Sequence, residues 1–447
     1  MDTTLAPPRA RTRGDLVLIV ASAAPLLAIT NFAAPLILLP QTAAALGTAA
    51  TAHVWILNAV TIGMAAPMLA LGSLADNLGR RRVFTIGAWT LAAASLLAAL
   101  APNTAVFVAA RIVQGMAGAA LLTTSLGILN VAFPDPKEKR KATSVYGAMA
   151  GAGMAVGVLA AAGLDALWGW NAPYWAFAVV AALIAIGAKA VLPESKAEHP
   201  RRVDVAGTLS LGAGMAALMA GLIRGQQGWT DPLVIALIAA GAVLGGVFVA
   251  VELRSREPMI DLRLFGRPMF VVATVGALVL GLAVIAVVNV SPSFWQQRFA
   301  ITTAEATWLF AFSSGTAFVV SLLVRNLPLE PDRLLMAGFG LEAVGTVLLM
   351  TTSATWSWTM AWISMLGIGI AYGFINTALA RLAIVSVPAD RGSMGAGANN
   401  AARYLGAALG LPILVAIQGS AGMVAALWVC VGLLVAAAAW FALLSRR

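Results

Sequence analysis

The chain alternates between long apolar runs and short polar segments, and this alternation predicts membrane-spanning helices. Each run has roughly the 20 residues that an α-helix needs to cross the hydrocarbon layer of a bilayer. Fourteen runs are predicted, at residues 16–40, 53–73, 84–101, 104–132, 143–164, 172–192, 204–223, 231–252, 269–290, 304–325, 333–352, 356–381, 394–417 and 421–444. An even number of spans places both termini on the same side of the membrane.

The polar links divide the runs into three predicted domains. Residues 1–192 hold six runs, residues 193–268 hold two runs with their links, and residues 269–447 hold the last six. The expected fold class is therefore an all-α integral membrane protein, with two six-helix bundles and a two-helix insertion. The first run is longer than the roughly 7–15 apolar residues of a signal-peptide core, so we interpret it as an uncleaved helix.

Composition agrees with a lipid environment. The 447 residues are 61% hydrophobic and 10% charged, whereas a water-soluble surface needs about 25% charged residues. The net charge of +10 would suggest nucleic acid in a soluble protein, so its distribution matters. With the N-terminus inside, 22 basic residues fall on the inner side and only Arg224 and Arg298 in outer loops. This is the positive-inside pattern, which predicts cytoplasmic termini and requires no nucleic-acid partner.

Two further features narrow the class of protein. No connecting segment exceeds about 17 residues, which leaves no room for a soluble catalytic domain. His53 and His199 lie near predicted membrane surfaces, Cys430 is the only cysteine, and we find no metal-ligand cluster or phosphate-binding glycine loop. The sequence therefore predicts neither an enzyme nor a cofactor. Tryptophans at predicted outer ends are expected to be interfacial anchors, namely Trp55, Trp168, Trp170, Trp175, Trp229, Trp295, Trp308, Trp356 and Trp358.

A charged segment at residues 72–84, GSLADNLGRRRVF, separates the second and third predicted spans. Gly72 and Gly79 are expected to let the backbones approach where the chain reverses. The segment resembles the signature loop between helices 2 and 3 of the major facilitator superfamily, a family of membrane transporters. The resemblance implies a gating loop, in which Asp76 and Arg80 brace the cytoplasmic ends of the two bundles and Arg81 lies beside them.

The fourth predicted span carries Arg111 and Gln114. Arg111 must face a cavity or a partner, because a cation in lipid costs about 2.5 kcal/mol or more. The segment resembles the helix 4 motif of the drug:proton antiporter branch, which implies proton coupling for Arg111. Gln114 and Asn31 of the first span are assigned to the predicted substrate cavity. Asn31 stands where the family has an aspartate, and an amide cannot carry a proton. A structural post between the two spans is the alternative role of Arg111.

Two charged residues of the second half are further candidates. Glu342 is the only carboxylate predicted deep in the membrane, where burial disfavours its charged form. We predict that Glu342 carries a proton; the alternatives are a protonated structural hydrogen bond or a side chain that reaches the surface. Arg403 resembles a pattern in the penultimate helix of fourteen-helix exporters and could pair with Glu342 or bind backbone carbonyls. Arg403 and Asn376 complete the predicted substrate cavity.

Small residues of the fifth span predict close helix packing, with Gly153 and Gly157 as the key positions. The span occupies the place of the family's antiporter motif, but Val158 stands where that motif has proline. Together, these features predict an exporter of hydrophobic small molecules coupled to protons, monomeric and located in a bacterial inner membrane. The alternative is an uncoupled or differently coupled carrier for a lipid-like metabolite, which the absence of the helix 1 acid and of the motif proline favours.

Overall fold

The computed structural model describes residues 8–65, 67–196, 204–225, 228–255, 262–324, 329–387 and 392–444, and these residues form helices and no strand. Their α-helices are α1 (Pro8–Ala45), α2 (His53–Ala65), α3 (Met68–Leu78), α4 (Arg80–Ala99), α5 (Thr104–Ala132), α6 (Pro136–Trp168), α7 (Ala172–Val191), α8 (Val205–Gly225), α9 (Pro232–Arg254), α10 (Pro268–Val279), α11 (Ala286–Phe299), α12 (Thr303–Val324), α13 (Pro331–Ala354), α14 (Trp358–Val385), α15 (Gly392–Ala421) and α16 (Met423–Leu444). Short 3₁₀ turns occupy Ala50–Ala52 and Leu262–Gly266, and a π-helical segment occupies Leu280–Ile285.

Thirteen stretches of the described residues are long and apolar enough to cross a membrane, and α2 is a shorter apolar helix. The all-helical membrane fold is therefore confirmed. Two of the predicted spans are not single continuous α-helices. Pro67, whose ring removes a backbone donor, separates α2 from α3. Helices α10 and α11 form one long span, Pro268–Phe299, which contains the π segment Leu280–Ile285.

The prediction of a thirteen-residue loop at 72–84 is wrong in its extent. Helix α3 continues to Leu78 and α4 begins at Arg80, so Gly79 alone turns the chain. Gly79 has φ +110°, a conformation that strains any residue with a side chain. A Cβ there would also lie 2.5 Å from the Glu194 carboxylate. Gly72 is different, because nothing lies within 4 Å of the point where its Cβ would stand, and no close approach requires a glycine there.

Most helix contacts join helices of the same half of the chain. Helix α1 packs against α5, α6 and α7, and α4 packs against α5 and α7. In the second half, α13 packs against α14 and α16, and α10 packs against α15. Helices α8 and α9 pack on each other, and α8 also contacts α2 and α15. The boundaries of the three predicted domains, at 192/193 and 268/269, stay a prediction.

The tryptophans are not all interfacial. Trp168 is 70% exposed, as an anchor would be, but Trp295 is 0% exposed. The Trp295 ring contacts Trp356 edge to face, with centroids 5.8 Å apart. The prediction of an anchoring role was therefore wrong for Trp295, which belongs to the core near the C-terminal end of α11.

Candidate functional site

Arg111 of α5 is completely buried and held by uncharged groups. Its Nη1 donates to the side-chain oxygen of Asn31 and, at 2.8 Å, to Oε1 of Gln114, while Nη2 donates to the backbone oxygen of Asn31 at 2.9 Å. Gln114 Nε2 in turn donates to Ser95 Oγ of α4 at 2.8 Å. Asn31, Ser95, Arg111 and Gln114 are at most 1% exposed. Arg111 was predicted to face a cavity or a partner. The structure provides that partner on α1, where it is the amide residue Asn31.

Aromatic rings close the other side of the guanidinium. The Arg111 Cζ lies 5.6 Å from the centroid of the Tyr174 ring of α7, a cation–π distance. Phe107, Trp170 and Phe177 surround Tyr174 with edge-on contacts between 5.3 and 6.4 Å. The Nε of Arg111 and the hydroxyl of Tyr174 are both buried without a hydrogen-bond partner. Among the described residues no carboxylate forms an ion pair with Arg111, so α1, α4, α5 and α7 together hold an uncompensated charge.

Glu342 lies halfway along α13 and is 1% exposed. Its Oε2 is buried and has no hydrogen-bond partner. Helix α13 packs against α14 and α16, and Cys430 of α16 lies within electrostatic range of the Glu342 carboxyl. In the part of the chain that the structure describes, no ion pair joins Glu342 to Arg403 or Arg111. The predicted pairing of Glu342 with Arg403 is therefore wrong, because α13 packs mainly against α14 and α16 and not against α15, which carries Arg403.

Arg403 of α15 lies beside the π segment. A Cβ on Gly281 would stand 2.1 Å from the Arg403 backbone oxygen, and one on Gly406 would stand 2.2 Å from the Leu278 oxygen. The backbone of α15 and the backbone around the π segment are therefore in direct contact. This contact fixes the position of Arg403 relative to the π segment. The side chain is half-buried, and its Nε is buried without a partner. The alternative prediction, in which Arg403 binds backbone carbonyls, has no support among the described contacts.

Tyr404 adjoins Arg403 on α15, and two further tyrosines lie within electrostatic range of Tyr404. Electrostatic interactions link Tyr404 to Arg403 and to Tyr372 of α14, and link Tyr146 of α6 to Tyr404. Asn376 follows Tyr372 by four residues, which places both on one face of α14. Tyr146, Tyr372 and Asn376 are half-buried, and the Tyr146 hydroxyl donates to the Leu122 oxygen at 3.1 Å. The chain has four tyrosines, and the meeting of three of them here was not predicted, because they lie in three separate spans.

The arginines of the predicted gating loop bind groups of their own half. Arg80 Nη1 donates to the Gly127 oxygen of α5 at 3.3 Å. Arg81 forms a 3.6 Å ion pair with Glu194, just beyond α7, and its Nη1 donates to the Leu192 oxygen at 3.4 Å. The side chain of Asp76 lies outside the described part of the structure. The gating role of this segment stays a prediction.

Gly153 and Gly157 lie where α6 crosses α1. A Cβ on Gly153 would lie 2.8 Å from Cβ of Ile29, and one on Gly157 would lie 2.8 Å from Cβ of Ala33. Thr30 Oγ1 also donates to the Gly153 oxygen at 3.1 Å. The crossing positions the α1 segment that presents Asn31 to Arg111.

Polar contacts that the sequence did not reveal join early and late helices. Gln41, near the end of α1, donates to Thr303 at the start of α12, and Gln296 of α11 donates to the Ile37 oxygen at 3.4 Å. Asn58 of α2 donates to the Ala408 oxygen of α15. Only their position near the ends of apolar runs distinguishes Gln41 and Gln296 in the sequence.

The chain is similar to a known protein family and to several known proteins. The family model described as Major Facilitator Superfamily matches residues 21–411. The multidrug resistance protein Stp of Mycobacterium tuberculosis is 30% identical over 364 residues, 80% of this chain and 67% of that protein. The puromycin resistance protein pur8 of Streptomyces alboniger is 34% identical over 243 residues, 54% of this chain and 48% of that protein.

Solved structures show the same fold. A bacterial homologue of the human lysosomal transporter Spinster, inward-facing and occupied, superposes with a TM-score of 0.65 at 13% identity, covering 99% of this chain and 98% of that one. The human organic anion transporter MFSD10 gives a TM-score of 0.64 at 17% identity, covering 98% of this chain and 100% of that one.

Proposed function

The chain belongs to the major facilitator superfamily, and from that premise we propose that it is a secondary active exporter of hydrophobic small molecules, working by alternating access and proton antiport. The family consists of transporters rather than enzymes. Export is supported by relatives named for multidrug resistance, puromycin resistance and tetracenomycin C export. Because several of these relatives are bacterial, we place the transporter in the plasma membrane. The distribution of basic residues supports placing both termini in the cytoplasm. We propose that the transporter is a monomer.

Alternating access is supported by the contacts between early and late helices. The Gln41–Thr303 and Gln296–Ile37 hydrogen bonds join α1 to α12 and α11 at the predicted outer surface. Neutral hydrogen bonds in membrane proteins contribute on average about 0.6 kcal/mol each. Two such bonds can hold one conformation and still break during a transport cycle. Opening to the outside would then separate the outer end of α1 from α11 and α12.

The observation that carries the proton-coupling proposal is the Glu342 carboxyl, buried at mid-membrane without an ion pair in the described structure. Proton exchange at Glu342 switches the α13–α16 contact between an uncharged and a charged state. The charged state requires water or a cation, and it is reached only when that contact opens. Such a carboxyl couples proton binding to helix movement.

A second candidate function rests on a different observation. The partners of Arg111 are the amides Asn31 and Gln114, neither of which titrates. This arrangement favours an uncoupled or differently coupled carrier, in which Arg111 only ties α5 to α1. In that case Glu342 is a protonated structural residue.

The experiment that separates these functions is transport in proteoliposomes with and without an imposed pH gradient. We expect gradient-driven uptake of hydrophobic dyes by the native protein and its loss in Glu342→Gln, while exchange without a gradient continues. Asp332→Asn, at the first turn of the same helix, is the matched control and should keep gradient-driven transport. Unchanged gradient dependence in Glu342→Gln would remove Glu342 from coupling, and native transport indifferent to the gradient would support the uncoupled carrier.

A further inference from the structure

Three charged side chains lie deep within the described spans, and they differ in what surrounds them. Arg111 is enclosed by Asn31, Gln114 and the Tyr174 ring, and is 0% exposed. Glu342 lies on α13, which packs against α14 and α16, and is 1% exposed. Arg403 alone of the three is partly accessible. A ligand that enters between the helices therefore meets Arg403 and neither of the other two charges.

Hydrogen-bond donors lie on the same helix as Arg403 and on α14, which packs against it. Tyr372 and Asn376 share a face of α14, and Tyr404 adjoins Arg403 on α15. Tyrosine hydroxyls and amide N–H groups donate, as does every polar atom of a guanidinium. Within the described residues, Arg403 forms no ion pair, and its Nε lacks any hydrogen-bond partner. The site thus combines an unneutralised positive charge with donors that have no anion to bind.

We propose that Arg403, Tyr372, Tyr404 and Asn376 form the substrate-recognition site, and that its ligand is an anionic amphiphile: an apolar body with one carboxylate. This inference rests on the proposed export function and assigns it a substrate class. A carboxylate matches the planar fork of Arg403 in a bidentate arrangement. The half-buried ring of Tyr372 offers a surface for the apolar body. A cationic drug would meet repulsion from Arg403 at this site, and no described acid faces it there.

The position of the site suits loading from the cytoplasmic side. Arg403 is seven residues into the Gly397–Ala421 span, so it lies about 10 Å from the start of that span at a rise of about 1.5 Å per residue. Tyr146 lies at the beginning of its own span, Val145–Trp168. Both helices enter the membrane from the predicted inner surface. An amphiphile that partitions into the inner leaflet can reach Arg403 with its acid group.

The test uses three fluorescent probes with the same dansyl–undecyl body: a carboxylate, its methyl ester and the corresponding amine. Binding is measured by dansyl fluorescence with the full-length protein in phosphatidylcholine nanodiscs. We expect the carboxylate to bind at least about tenfold more tightly than the ester or the amine, the factor that one charge-assisted hydrogen bond supplies. Arg403→Gln should abolish this preference and leave ester binding within about twofold, whereas Arg403→Lys should keep part of it.

Arg298→Gln is the matched control, because it removes one exposed positive charge at the end of α11. The double variant Tyr372→Phe with Tyr404→Phe tests the site without changing charge and should weaken carboxylate binding selectively. Equal binding of the three probes, or a preference for the carboxylate that survives Arg403→Gln, would overturn the proposal. Displacement of the carboxylate by added phosphatidylglycerol would identify a lipid headgroup as the occupant and would also overturn it.

Transport of the same probes separates this inference from the export function. If the ester and amine are exported without any preference for the acid, export holds and the anion site fails. If the acid binds through Arg403 but none of the probes is moved across proteoliposome membranes, the site holds and export fails.

Discussion

Asn31→Ala tests whether the amide of α1 stabilises the buried charge of Arg111. The substitution removes one of the three hydrogen bonds that the guanidinium donates and leaves those to Gln114 and to the Asn31 backbone. A hydrogen bond to a charged group contributes about 1.5–3 kcal/mol, whereas neutral pairs in membrane proteins average about 0.6 kcal/mol. We expect Asn31→Ala to lower the free energy of unfolding by about 1.5–3 kcal/mol.

The matched control is Thr30→Ala, on the neighbouring residue of the same helix. Thr30 donates a neutral hydrogen bond to the Gly153 oxygen at 3.1 Å, so its loss should cost under about 1 kcal/mol. Both free energies are measured by titrating the purified protein from mild micelles into sodium dodecyl sulfate and following tryptophan fluorescence. A stabilising role of the Asn31 amide is refuted if Asn31→Ala destabilises the protein no more than Thr30→Ala does.

The other predictions concern packing, gating and the inner surface. Gly115→Ala places a Cβ 2.2 Å from a backbone oxygen of α2 and should abolish monodisperse protein in size-exclusion chromatography, whereas Gly163→Ala, with nothing within 4 Å, should behave as the native protein. Cysteines are placed at Gln41 and Thr303 in a cysteine-free background and joined by a short bifunctional reagent that forms disulfide bonds. The crosslink should stop transport until it is reduced, and continued transport would contradict an outer gate there. Arg81→Ala breaks an ion pair whose side chains are 40% and 33% exposed, so thermal unfolding should reveal a loss under about 1 kcal/mol.

The sequence was informative where the free-energy cost of burying a charged side chain restricted the possible surroundings of that side chain. A guanidinium inside a span is costly unless a cavity or a partner surrounds it, so Arg111 could be predicted to bind a partner. The first span was one proposed source of that partner, and Asn31 lies in it. The pairing of Glu342 with Arg403 failed for a geometric reason. Apolar runs determine which segments are spans, but they do not determine which face of one span meets which neighbour. Membrane helices are apolar on most sides, so the periodicity that orients a soluble helix is weak here.

The error at the signature segment has a related physical cause. Charges at residues 72–84 indicated a loop, yet helices α3 and α4 extend through most of them. Helical backbone needs no change of structure to leave the membrane, because its hydrogen bonds are internal in either solvent. Only Gly79, with its positive φ, had to interrupt the helix. Polarity was therefore a poor guide to where the helices end.

The separation of Arg111, Glu342 and Arg403 constrains how this transporter can couple its ligands. An exchange of ion-pair partners requires an acid within reach of an arginine, and the described structure has no such pair among these three residues. A proton on Glu342 can then influence a ligand at Arg403 only by changing the packing of α13 against its neighbours, since both sites must bias the same helix movement. Helix α14 provides a direct route, because it packs against α13 and carries Tyr372 of the proposed site. Gly345→Ala tests this route: its Cβ would lie 3.1 Å from the Ile368 backbone nitrogen of α14. We expect it to weaken gradient-driven transport while leaving binding of the carboxylate probe within about twofold, and equal losses of both would indicate simple misfolding instead.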